Sequence, residues 1–202
     1  IVMSLVFQEE KIGNITLKNR MVMPPMCMYK SDNSGELKAF HKTHYLARAV
    51  GGVGLIIVEA TAVEPKGRIS DADLGLWEDS QIIQHKELNE DIHFFGAKTA
   101  IQIAHAGRKS TVKDTTPIAP SVIAFSNEEP FKIPISASLE DIKNIKELFV
   151  KTAIRAKSAN YDAIELHAAH GYLLCEFLSP LSNTREDIYG GSLENRCRLV
   201  LE

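Results

Sequence analysis

Four short apolar runs recur along the chain, separated by stretches with helical periodicity. Met21-Val22-Met23 is the first and stops at Pro24-Pro25. Residues 53–63 form the second, almost continuously apolar, which suits a strand covered on both faces as in a parallel sheet. Ala100-Ile101-Gln102-Ile103-Ala104 is the third. The fourth covers residues 162–167, where alternation puts Ile164 and Leu166 on one face and Ala163, Glu165 and His167 on the other.

Helical patterns fill the gaps. Leu37, Phe40, His44 and Ala47 share a face before Gly51-Gly52, and Leu88, Ile92 and Phe95 share another before Gly96. Ser138 and Asp141 read as a capping box ahead of the stripe Ile142, Ile145, Phe149, Ala153 and Ala156. Gly190-Gly191-Ser192 reads as a turn and N-cap, after which Leu193, Cys197, Val200 and Leu201 lie on one face. Such alternation predicts βαβ units on a parallel sheet. Residues 108–137, with Pro117, Pro120, Pro130 and Pro134, form an insertion of a length that is usually functional or disordered. An eight-stranded barrel takes about 250 residues, and four open parallel strands leave exposed edges. The expectation is therefore one α/β domain over residues 1–202 that forms about half of a larger fold.

Composition narrows the partners. The chain carries 23 Lys+Arg against 26 Asp+Glu, a formal charge of −3, and has no dense basic cluster, so nucleic acid is a poor partner. No window approaches the roughly 18 uninterrupted apolar residues of a membrane helix. Cys27, Cys175 and Cys197 are odd in number and far apart, so no disulfide framework is expected and a reducing compartment is the default. The apolar start Ile1-Val2-Met3-Ser4-Leu5-Val6-Phe7 is cut short by Gln8-Glu9-Glu10, and no basic region precedes it. It does not read as a signal peptide; Met3 reads as the natural start and the cytoplasm as the location.

Functional groups in parallel α/β folds gather where strands end, at the carboxyl edge of the sheet. Four sequence features fall there: Pro25 to Tyr29, Glu59-Ala60-Thr61, Gln102 to Lys109, and Glu165 to Tyr172. His167 and His170 read as donors to a substrate oxygen, as metal ligands, or as histidines satisfied by a tight turn. The metal reading lacks an obvious third ligand. Cys27 reads as a nucleophile, a redox or flavin-tuning thiol, or an inert buried thiol. Gln102, alone in an apolar strand, is a satisfied core amide or one that faces a heterocyclic ligand. Tyr29 and Tyr172 donate protons or stack, and His41 and His44 read as surface or packing residues. No Gly-x-Gly-x-x-Gly follows a strand and no phosphate loop occurs.

The motifs Pro25-Met26-Cys27-Met28-Tyr29, Glu59-Ala60-Thr61-Ala62-Val63, Gln102 to Lys109, His167 to Tyr172, and Phe177-Leu178-Ser179-Pro180 through Tyr189-Gly190-Gly191-Ser192 occur together and in order. In this the chain resembles the Old Yellow Enzyme family of flavin-dependent oxidoreductases, in its bacterial NADPH dehydrogenase branch with an active-site Cys. The resemblance implies the N-terminal half of a TIM (β/α)8 barrel with FMN at its carboxyl rim. NADPH or NADH would be the reductant, and an activated alkene, quinone or nitro compound the small-molecule acceptor. It implies that Pro25, Met26, Ala60 and Gln102 hold the isoalloxazine and ribityl groups, and that Cys27 contacts substrate and tunes the flavin. His167 and His170 would bind the substrate oxygen, Tyr172 would supply the proton, and Tyr29 and Lys109 would line the pocket. Pro24 departs from the family, which usually has a small residue there, and proline offers no backbone donor. The family's flavin-binding Arg and phosphate loops would lie beyond Glu202, so weak FMN binding is expected. A homo-oligomer or a complementing C-terminal half-barrel would cover the open edges. The alternatives are a non-catalytic half-barrel that serves as an interaction module and, more remotely, a metal-dependent hydrolase using His167 and His170.

Overall fold

A hairpin that the apolar pattern does not single out opens the architecture. The computed structural model describes residues 4–202, so Ile1, Val2 and the expected start residue Met3 lie outside the described residues. Strands β1 (Glu10–Ile12) and β2 (Ile15–Leu17) pair antiparallel across Gly13-Asn14, where Gly13 takes φ +56°. A left-handed turn residue is what a two-residue hairpin loop requires, and glycine supplies it without steric cost. Each strand is only three residues long, too short for alternation to register.

The apolar runs become the central sheet. Strand β3 (Val22–Met23) leads to helix α1 (Ala39–Val50), then to β4 (Leu55–Ala62), beside whose end lies the two-residue β5 (Leu74–Gly75). Helix α2 (Ile82–Phe94) precedes β6 (Lys98–Ala104). The proline-rich insertion is ordered around a short parallel pair, β7 (Ile118–Ala119) and β8 (Ile135–Ser136). Helix α3 (Leu139–Ser158) follows, with Ser138 and Asp141 forming the expected capping box. Strand β9 (Ala163–Leu166), helix α4 (Leu173–Leu178) and helix α5 (Leu193–Leu201) complete the order. The sheet runs β3-β4-β6-β9 with parallel neighbours throughout, and among the described residues it does not close on itself. It is an open α/β half-barrel.

Its two faces are packed by different partners. Ile56, Val58, Ile101 and Ile103 face outward onto Tyr45, Leu88, Ile92 and Ala156 of the helices. Leu55 and Ala100 face inward and are plugged from below by Leu17 of the hairpin. A separate cluster joins Ile142 and Ile145 to Leu173, Phe177, Tyr189 and Leu199. Among the described residues, no helix is long and apolar enough to cross a membrane.

Two helices are rotated from the expected faces. On α1 the buried positions are His41, His44, Tyr45 and Ala49, not Phe40 and Ala47. The reason is the Tyr45 hydroxyl, which bonds the Glu59 carboxylate and turns the polar-tipped side chains inward. On α5 the buried residue is Leu199, while Leu193 and Leu201 are exposed. Tyr189 and Phe177 cover only the side that carries Leu199.

Candidate active site

The loop after β3, the end of β6 and the segment after β9 meet around one hollow of about 460 Å³. That lies within the roughly 300–1,000 Å³ typical of small-molecule sites. Pro24, Pro25 and Cys27 line it from one side, Gln102 and Glu165 from the floor, and His167, His170 and Tyr172 from the other side. Four further residues named from sequence do not line it but sit around it. The Ala60 backbone N–H and the Tyr29 hydroxyl both hydrogen-bond the Cys27 sulfur. The Lys109 ammonium donates to the His170 carbonyl at 3.0 Å and lies 4.8 Å from the centre of the Tyr172 ring. Met26 is 45% exposed beside Pro25 and Cys27.

Backbone strain marks both sides of the hollow. Tyr29 and His170 adopt φ of 52° and 57°, a left-handed conformation that costs a non-glycine residue energy and collects at functional sites. Burial first, then Asp73 and Glu59, push the Cys27 thiol up to about 11, so it is a protonated thiol at neutral pH. His167 moves the opposite way. Burial, with help from His170 and Lys109, brings it down to about 4 and leaves a neutral imidazole. Its ring meets those of His170 and Tyr172 edge-on at 5.2 and 4.9 Å. Burial, with the negative charge of Asp73, raises Tyr172 and keeps its hydroxyl protonated. The hollow thus holds His167 and Tyr172 as neutral hydrogen-bond donors on one wall, an arrangement that stabilises negative charge developing on a bound oxygen.

A sequence profile matches residues 6–202, almost the whole chain, and is described as the NADH:flavin oxidoreductase / NADH oxidase family. The chain belongs to that family. It is 55% identical over 197 residues to an NADPH dehydrogenase of Bacillus licheniformis, covering 97% of this chain and 57% of the relative. It is 50% identical to one of Clostridium acetobutylicum, covering 98% and 58%. Morphinone reductase superimposes with a TM-score of 0.91 at 32% identity, over 97% of this chain and 56% of that one. An Old Yellow Enzyme from Pichia does so with a TM-score of 0.91 at 31% identity, over 98% and 54%. The chain therefore spans about half the length of the curated relatives it matches. These structural neighbours are TIM barrels, and the half-barrel here is their counterpart.

FMN is the cofactor that this family membership implies, and the lining fits one part of it. Gln102 spends its amide N–H on Glu165 Oε1 at 2.5 Å. Its amide oxygen receives no donor among the described residues and is available to a ring N–H. Prolines and a thiol offer flat, apolar contact opposite the histidines. No lysine or arginine lines the hollow, so the donor set suits an isoalloxazine ring and not a phosphate. Among the described residues, no group of three or more His, Cys, Asp or Glu side chains is placed to hold a metal ion.

Sequence reasoning missed the residues that support the rim. His105 Nδ1 accepts the Gly107 N–H at 3.0 Å, which leaves Nε2 to donate to Glu64 at 2.8 Å. Glu176 Oε1 accepts the Arg108 N–H at 3.0 Å, and a Cβ on Gly107 (φ +58°) would stand 2.4 Å from that oxygen. These contacts fix the turn that carries Lys109. The available signal was a lone carboxylate inside the apolar stretch Leu173–Leu178. Burial raises Glu176 from its ordinary 4.5 to about 8. Between those values the unfolded chain releases a proton that the native state keeps, so rising pH favours unfolding. Urea denaturation at pH 5 and pH 8 should show wild type losing stability relative to Glu176→Gln, by on the order of tenfold or more in the folding equilibrium. An equal pH response in both proteins would contradict a buried neutral carboxyl.

Proposed function

We propose that the rim hollow receives the isoalloxazine ring of FMN and that the whole protein is an NAD(P)H-dependent ene-reductase. Its acceptor would be an activated alkene, a quinone or a nitro compound. Bound there, the flavin supplies two-electron transfer between the nicotinamide and the acceptor. Pro25 and Gln102 hold the ring, with Ala60 and Met26 behind and above it. His167 and His170 donate to the acceptor's oxygen as negative charge builds there. The Tyr172 hydroxyl delivers a proton to the carbon next to the activating group. Cys27 presents a neutral thiol to ring and acceptor, steadied by Tyr29. Lys109, committed to the His170 carbonyl and the Tyr172 ring, holds those two groups in place. The observation that carries this reading is the single hollow shared by Cys27, Gln102, His167, His170 and Tyr172.

Strand β9 pairs with β6 alone among the described residues, which supports a second element of the proposal. The free edge of β9 takes a further barrel strand, from more of the polypeptide, a complementing half-barrel or a second copy. The test of the site separates ring from phosphate. Titrated into this chain, riboflavin and FMN should quench with similar affinities, because the lining residues address only the ring they share. Replacing Cys27 with Trp should abolish both. A strong preference for FMN, or binding that survives Cys27→Trp, would place the flavin elsewhere.

A further inference from the structure

Beneath the Cys27 loop lies a buried carboxylate that the proposed chemistry does not use. Glu59 is 1% exposed, in the middle of the most apolar strand of the sheet. The pairing of β4 with β6 slips there: Val58 faces Ile101, whereas Thr61 faces Ile103. Three steps on one strand oppose two on the other, the signature of a β-bulge, which re-aims the side chains it contains. The bulged residues are Glu59 and Ala60. Ala60 turns its N–H onto the Cys27 sulfur. Glu59 Oε2 accepts the Met28 N–H at 2.8 Å, and the carboxylate also accepts the N–H of Tyr29, the residue with left-handed φ. On the far side the Tyr45 hydroxyl donates to Glu59 Oε1 and accepts the Glu59 N–H, each at 3.0 Å.

We propose that Glu59 is a positioning residue, a buried clamp that fixes the strained Cys27–Tyr29 loop and so sets where the Cys27 sulfur stands in the hollow. It acts through two backbone N–H groups and touches no substrate. The proposal deepens the flavin-site reading by adding a support to its thiol wall, but its geometry needs no flavin. Four groups face the Cys27 sulfur: Glu59 from β4, Asp73 from the turn before β5, Tyr29 from its own loop and Tyr172 from the start of α4. Glu59 in turn faces Asp73, Tyr45 and the neutral ring of His41, whose Nε2 is 3.8 Å away. Losing the clamp frees the loop and removes one of the two negative charges that add to burial in raising the thiol. Both changes make the sulfur more reactive.

The test is the pH profile of iodoacetamide alkylation, read at each cysteine by peptide mass spectrometry on this chain without flavin. Glu59→Gln should raise the rate at Cys27 about tenfold below its midpoint, as a downward shift of about one pH unit requires. Cys175 and Cys197 should keep their wild-type rates. Tyr45→Phe, which leaves the carboxylate but removes its anchor, should shift Cys27 in the same direction by less, and it decides the matter if Glu59→Gln fails to fold. An unchanged Cys27 profile in either folded variant, or equal acceleration at all three cysteines, would overturn the proposal. Failure of flavin to bind would leave this result readable, so the two ideas fail separately.

Discussion

Tyr172→Phe in the FMN-loaded protein is expected to slow enone reduction by about 10²- to 10⁴-fold, the range for removing a positioned general acid. The substitution deletes one oxygen and little else. The Tyr172 ring is held by the edge of His167 and by the Lys109 ammonium, contacts that phenylalanine keeps. The tyrosine is half-buried and its proton is retained, because burial and the charge of Asp73 both disfavour the phenolate. The loss should therefore fall on one step. Stopped-flow measurements should show flavin reduction by NADPH near the wild-type rate and reoxidation by an enone strongly slowed. Reoxidation by a quinone should change little, since its protons go to oxygen and not to carbon. If all three rates drop together, Tyr172 is a packing residue, and the proton comes from elsewhere.

The rim was legible because each of its motifs sits at the end of a run whose period is unambiguous. Residues 53–63 and 100–104 are too apolar for a surface helix and too short for a membrane span, so they read as buried strands. What escaped was the set of long-range polar contacts. Glu59 and Met28 are 31 positions apart, and Glu176 and Arg108 are 68 apart. Each carboxylate was visible as an anomaly in apolar surroundings, but nothing local named its partner. The face of α1 went astray for the same reason. His41 and Tyr45 score as polar, yet inside the fold His41 Nδ1 accepts the Lys38 N–H and the Tyr45 hydroxyl bonds Glu59. The strands missed outright, β1, β2, β5, β7 and β8, have two or three residues each, too few for any periodicity to show, and the six residues of the missed helix α4 make less than two turns.

Removing both imidazole donors should cost about 10²- to 10³-fold in kcat/KM for a carbonyl-activated alkene, the effect of losing preorganised donors to a developing oxyanion. The choice of replacement decides what the experiment means. His170 holds φ 57° and Gly171 follows at φ +74°, so alanine at 170 loses the donor and strains the turn as well. Asparagine tolerates the left-handed region and keeps an N–H donor. His170→Asn should thus retain more activity than His170→Ala, and His167→Asn more than His167→Ala. The rings of His167 and His170 touch, so the two alanine losses should not add. The pH dependence gives an independent check. With its pKa brought down to about 4, His167 is neutral from pH 5 upward, so its contribution should be flat across neutral pH and strengthen only as the pH approaches 4. A loss in the His167→Ala enzyme that grows between pH 8 and pH 6 would mean that the charged imidazolium, not the neutral ring, is the donor.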